Sequence, residues 1–114
     1  MKAADFRRQE ILGWPEHKLQ AEVIKLAQQL GWRHYHTHDS RRSVPGFPDL
    51  VMVCPGTGVL LFRELKREGE YPTPEQREWL SWLEGAGQDV GVWRPRDWLD
   101  GRVQERLRAD ASRR

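Results

Sequence analysis

At 114 residues and 13.4 kDa, the chain has room for one domain whose core buries roughly two-thirds of the unfolded surface, and none for a second. Its 38% hydrophobic content and six tryptophans fall in periodic groups and exclude a disordered chain; the single cysteine, Cys54, excludes an internal disulfide and a CxxC-type zinc site. A formal charge of only +2 excludes a protein held on nucleic acid by bulk charge, and no apolar run approaches the ~20 residues of a membrane helix.

Residues 3–12 read as a short lead helix, with Phe6, Ile11 and Leu12 apolar and Gly13 as its stop. Pro15 opens a helix predicted over 15–30, before Gly31. At about 100° per residue, Leu26, Leu19, Leu30, Val23 and Ala27 share one arc, opposite Lys18, Glu22, Lys25 and Gln29. Glu16 falls near the middle of the apolar arc, where an unpaired carboxylate is costly to bury.

Residues 32–38 alternate and read as a strand, followed by an exposed basic loop carrying Arg41 and Arg42. Asp49–Cys54 and Val59–Lys66 are rich in strand formers, and Pro55-Gly-Thr-Gly58 between them supplies a hairpin turn. Thr73-Pro-Glu-Gln76 places a capping residue, a first-turn proline and a glutamine three after the cap, opening a helix to about Gly87. Asp89–Trp93 is a short strand; residues 96–109 are weakly helical and interrupted at Gly101. The last fourteen residues carry five arginines against Glu105 and Asp110, a basic tail suited to phosphates. The order (α)αβββαβα predicts one α/β domain over 1–114, a mixed sheet flanked by helices with its core in 14–94. No signal core follows the basic start, and a cytoplasmic location is expected.

Strand alternation puts Leu60, Phe62, Glu64 and Lys66 on one side, predicting a core face that ends in a carboxylate and an ammonium. Asp49 shares the face of Val51 and Val53, and pairing through the 55–58 turn brings it to the same end of the sheet as Glu64. Two carboxylates with a backbone carbonyl suit a hard cation such as Mg²⁺. Taken alone, Asp49 also fits a turn residue and Glu64-Leu-Lys66 an exposed strand end. Gln76 lies three, four and seven residues before Trp79, Leu80 and Leu83 and shares their inward face.

The run Pro45-Gly46-Phe47-Pro48-Asp49-Leu50, then Glu64-Leu65-Lys66, then Gln76 with Leu80 and Leu83, after a helix Glu16-His-Lys-Leu-Gln20 that ends at Leu30-Gly31-Trp32, resembles the VRR-NUC (virus-type replication-repair nuclease) family of the PD-(D/E)XK superfamily. The resemblance covers residues 14–94. It implies an αβββαβ core and metal-dependent hydrolysis of DNA by an endonuclease, with Asp49, Glu64 and the Leu65 carbonyl as ligands of Mg²⁺ or Mn²⁺. It further implies Lys66 positioning the nucleophile, Glu16 acting through a water or a second metal, and Gln76 on the following helix. Small stand-alone members resemble dimeric, structure-selective nucleases of the Holliday-junction resolvase kind, so branched DNA and a homodimer are expected. Arg41, Arg42, His36 and Arg67 are the expected nucleic-acid contacts. Two other readings remain open, a catalytically idle binding module and an RNA-directed nuclease on the same fold. A transition-metal site on His34, His36 and His38 is disfavoured because a strand spreads the outer two about 13 Å apart.

Overall fold

A computed structural model describes residues 2–37 and 44–112. In chain order it contains α1 (Ala3–Leu12), α2 (Glu16–Gln29), β1 (Arg33–His36), β2 (Leu50–Cys54), β3 (Val59–Leu65), α3 (Pro74–Gly85), β4 (Asp89–Trp93), α4 (Pro95–Leu99) and α5 (Arg102–Ser112). The strands form one sheet in the order β1-β2-β3-β4. The first two pairings are antiparallel and β3–β4 is parallel, as required once α3 serves as the crossover between them. Among the described residues no helix is long and apolar enough to cross a membrane.

Helix α2 ends where the sequence directs it. Gly31, at φ +86, lets the N–H of Trp32 reach the Ala27 carbonyl at 2.9 Å and its own N–H reach Gln28 at 3.2 Å, the paired bonds of a Schellman motif. The reversal drops the Trp32 indole into the core, where Nε1 donates to the Leu107 carbonyl at 3.1 Å.

The sheet is covered on both sides, but unequally. Leu50, Met52, Cys54, Leu61 and Leu65 are buried on one side, with Leu19, Val23 and Ala27 of α2 and Val103 and Leu107 of α5 in the same core cluster. The other side carries Tyr35, Val51, Val53, Leu60, Phe62 and Glu64; here Phe47 packs edge-on to Phe62 and to Trp79 of α3, at 6.2 and 5.1 Å between centroids. The deeper core face of β3 is therefore Leu61, Arg63 and Leu65, not the predicted Leu60, Phe62, Glu64 and Lys66. A central strand is apolar on both faces, so alternation alone does not show which is deeper. The residues read as a weakly helical basic tail form α5, an amphipathic helix whose Val103 and Leu107 are fully buried in the core.

Candidate active site

Asp49 stands just before β2, behind the buried Pro48. The register Leu50↔Arg63, carried back one residue, sets Asp49 opposite Glu64, and Asp49 Oδ2 accepts the Leu65 main-chain N–H at 2.9 Å. The approach to Asp49 is fixed by Gly46. At φ +93 its backbone presses on the first turn of α3, so that a Cβ there would lie 2.5 Å from the Glu75 carbonyl carbon and oxygen. Gly46→Ala is therefore expected to cost about 1–3 kcal/mol from the positive φ and overpacking together, and to disturb Asp49 and Gln76 at once; a melting curve with a parallel activity assay checks this.

Gln76 does two jobs with one amide. Its Oε1 accepts the Thr73 main-chain N–H at 2.8 Å while the Gln76 main-chain N–H donates to Thr73 Oγ1 at 3.2 Å, a capping box. Its Nε2 then donates to Glu64 Oε1 at 3.3 Å. The cap fixes the rotamer, and the fixed rotamer reaches the carboxyl group.

Glu64 is 1% exposed, and no donor reaches its buried Oε2. Burial, a hydrogen bond shared with Asp49 and the charge of Asp49 push its pKa up to about 10, against a smaller opposing pull from Lys66. Two carboxyl groups this close share a hydrogen bond only when one carries a proton. Lys66 is buried, and its main-chain N–H donates to the Trp93 carbonyl at 3.1 Å. Glu16, half-buried at the start of α2, has its pKa raised by burial, then lowered by Lys66, raised by Asp49 and Glu70 and lowered by Arg67. The fold thus brings Glu16, Asp49, Glu64, Lys66 and Gln76 into one electrostatic neighbourhood.

The remaining residues singled out in the sequence lie as follows. Leu65, named for its carbonyl, has its side chain in the core. Arg67 is exposed and close enough to act on Glu16. His36 is half-buried on the α2 side of the sheet, its Nδ1 3.4 Å from Gln20 Nε2 and its ring stacked 6.0 Å from that of His34. It flanks the turn carrying Glu16 rather than the Glu64 face. Arg41, Arg42 and His38 lie outside the described residues.

Among the described residues no three His, Cys, Asp or Glu side chains form a ready-made metal cage. Mg²⁺, the cation the resemblance implies, is usually held through one or two carboxylates, with water and substrate oxygens in the remaining positions. The undonated Glu64 Oε2 beside Asp49 is the atom a cation would satisfy. Arg63 went unrecognised in the sequence: it is 5% exposed on the core face and binds Asp89 of β4. A charged residue between Leu61 and Leu65 was the available signal.

The VRR-NUC domain family model matches residues 2–97. The chain belongs to the VRR-NUC family. Its fold, a mixed four-stranded sheet flanked by helices, is the PD-(D/E)XK nuclease fold. A solved VRR-NUC domain is 27% identical, with TM-score 0.65 over 78% of this chain and 94% of that one. A second, a VRR-NUC domain protein, is 21% identical, with TM-score 0.63 over 83% and 91%. Hjc, a Holliday junction resolvase from Archaeoglobus fulgidus, is 21% identical, with TM-score 0.47 over 69% and 68%. No curated protein matches. Helix α5 lies beyond the residues matched by the VRR-NUC model, yet it closes the core of this member.

Proposed function

We propose that this VRR-NUC protein is a Mg²⁺- or Mn²⁺-dependent endonuclease that hydrolyses phosphodiester bonds in branched DNA. The observation that carries the reading is the pairing of half-buried Asp49 with fully buried Glu64, whose Oε2 is undonated. Such a pair is costly in the protein alone and gains its purpose from a divalent cation. Asp49 and Glu64, with the Leu65 carbonyl, would hold the cation, and Gln76 fixes the orientation of Glu64 through Oε1. When bound, the cation lowers the pKa of water and offsets the charge that builds on the phosphate. Lys66 directs its ammonium to the attacking water or to a phosphate oxygen, and Glu16, whose raised pKa favours proton uptake, assists on the water side.

The test is incubation of the purified protein with four-way junctions, flaps, single strands, duplex and RNA, with Mg²⁺, Mn²⁺ or EDTA. Cleavage is expected only with metal, fastest on branched DNA, and lost in Lys66→Ala. Cutting in EDTA, or wild-type rates in Lys66→Ala, overturns the reading. Metal-dependent cleavage confined to RNA replaces the substrate.

We also propose a homodimer, which would set two active sites on one branched substrate. It is supported by the half of the sheet face that α3 leaves open, where Val53 and Leu60 stand directly opposite each other at 38% and 37% exposure, with Tyr35, 64% exposed and paired with Val51, further along the same face. A second copy's identical face would bury this patch as sheets pack in a sandwich, about 10 Å apart. Light scattering is expected to give twice the chain mass, and Leu60→Glu to give a monomer that keeps its fold.

A further inference from the structure

Seven residues, 67–73, join Lys66 to α3, and Tyr71 among them is 78% exposed. The loop around that ring is held firmly. Arg94 donates from Nε and Nη2 to the Glu70 carbonyl at 3.2 and 2.8 Å. Arg77 Nη1 donates to the Pro72 carbonyl at 2.9 Å, and the Arg96 N–H donates to Glu68 Oε1 at 2.6 Å. The Arg94 guanidinium also lies over the Tyr71 ring, 5.5 Å from its centroid.

Folding gains little from ordering a phenol ring that stays in water, since most of its apolar area is never buried. A ring held still and left open is instead prepared to bind, because the ordering cost is met before the partner arrives. With a cation behind one face, the other face offers a flat aromatic surface to a second ring.

The position of the ring names that partner. Tyr71 is five residues from both Lys66 and Gln76, so it lies within roughly 17 Å of each even for a fully extended chain. Its neighbour Glu70 is close enough to raise the pKa of Glu16. The ring therefore stands at the edge of the candidate active site, within a few nucleotides of any phosphate held there. Bases inside a duplex are already stacked on both faces; only an unpaired base can take up the tyrosine.

We propose that Tyr71, braced by Arg94, is a substrate-positioning residue that stacks on an unpaired nucleobase next to the scissile phosphate. This rests on the nuclease reading and narrows its substrate to strands with an unpaired base at the cleavage point, as at a flap, a gap or an opened branch point.

The experiment uses the wild-type protein in EDTA, so that binding is read without cleavage, with gapped and flapped DNA carrying 2-aminopurine at successive positions around the branch. Stacking is expected to quench the fluorescence at one position. Tyr71→Ala is expected to abolish that quenching and weaken binding of gapped DNA about ten-fold, the scale of one base stack. Tyr71→Phe retains both, and binding of intact duplex is unchanged in either variant. The proposal is overturned if Tyr71→Ala quenches as the wild type does. Equal weakening on gapped and duplex DNA also overturns it, as does a change of oligomeric state in light scattering, which would assign the ring to a contact between copies. Failure of the nuclease reading looks different: quenching still depends on Tyr71, but no DNA is cut with any metal.

Discussion

Glu64→Gln is expected to stop cleavage and, in the same molecule, to stabilise the metal-free protein at neutral and alkaline pH. Glu64 is 1% exposed, and burial beside Asp49 pushes its pKa from 4.5 up to about 10. The folded metal-free protein therefore keeps a proton on this carboxyl group at pH 8, whereas the unfolded chain releases it. A group whose pKa rises on folding gives its full stability below the unfolded value, near pH 4.5, and loses it progressively as pH climbs toward 10. Glutamine carries no such linkage and offers a permanent donor to Asp49. In EDTA the variant and wild type are expected to melt together near pH 4.5, while at pH 8 the variant melts higher by on the order of 5 °C. Cleavage is expected to fall by about a thousand-fold or more, because the lost ligand charge acts on the transition state. Added Mg²⁺ or Mn²⁺ should raise the wild-type melting temperature and leave the variant unmoved. A variant that melts lower than the wild type at pH 8 would show that the carboxyl pair is not a stability cost.

The opposite effects on stability and activity follow from how the site is assembled. Asp49 and Glu64 lie on the face of the sheet that Phe47 and α3 cover, and Glu16 comes from a helix packed on the other face. Only at the end of the sheet do these surfaces meet. Much of this was legible in the sequence, because the hairpin is written locally: two β-branched and aliphatic runs and a glycine turn determine the pairing, and the pairing sets Asp49 against Glu64. Gln76 was legible from helical phase, and the structure adds that the capping and inward-facing readings of this residue are both correct.

What the sequence concealed is the depth of each face. Leu60 and Phe62 are as apolar as Leu61 and Leu65, so β3 shows no period of two that separates the half-open face from the core. The C-terminal helix was expected, but the part α5 plays in the core was obscured for a related reason. Its fully buried residues, Val103 and Leu107, stand one helical turn apart among arginines, and so narrow an apolar stripe reads as a weakly helical basic tail. The partner of Arg63 was unreadable because it depends on a parallel pairing across 26 residues, which no local pattern encodes.

That pairing carries the largest expected loss of stability. Arg63, 5% exposed, donates from Nη2 to Asp89 Oδ1 at 2.9 Å and from Nη1 to the Asp89 and Phe62 carbonyls at 3.1 and 2.9 Å, and its guanidinium lies 4.9 Å from the Trp93 ring centroid. Arg106 of α5 binds the second Asp89 oxygen and also Asp110. One carboxylate therefore ties the central strand, the parallel edge strand and the last helix together. Arg63→Ala leaves two carbonyls short of a donor and opens a cavity against Trp93, and it is expected to cost about 3–5 kcal/mol, a fall in melting temperature on the order of 15 °C. Arg63→Met, which refills the volume and brings no charge, should cost clearly less. The same network sets an acid limit. Burial acts to raise the pKa of Asp89, but hydrogen bonds from Arg106 and Arg63 outweigh it, and the pKa lies below its usual 3.8. The stability this carboxylate contributes is therefore complete above about pH 4 and is lost as pH falls through the lowered value. Urea melts from pH 7 down to pH 2.5 are expected to show the wild type losing stability below pH 4, with Asp89→Asn less stable at pH 7 and the gap narrowing in acid. A constant gap across that range would mean that the Arg63–Asp89–Arg106 network does not hold α5 to the sheet electrostatically.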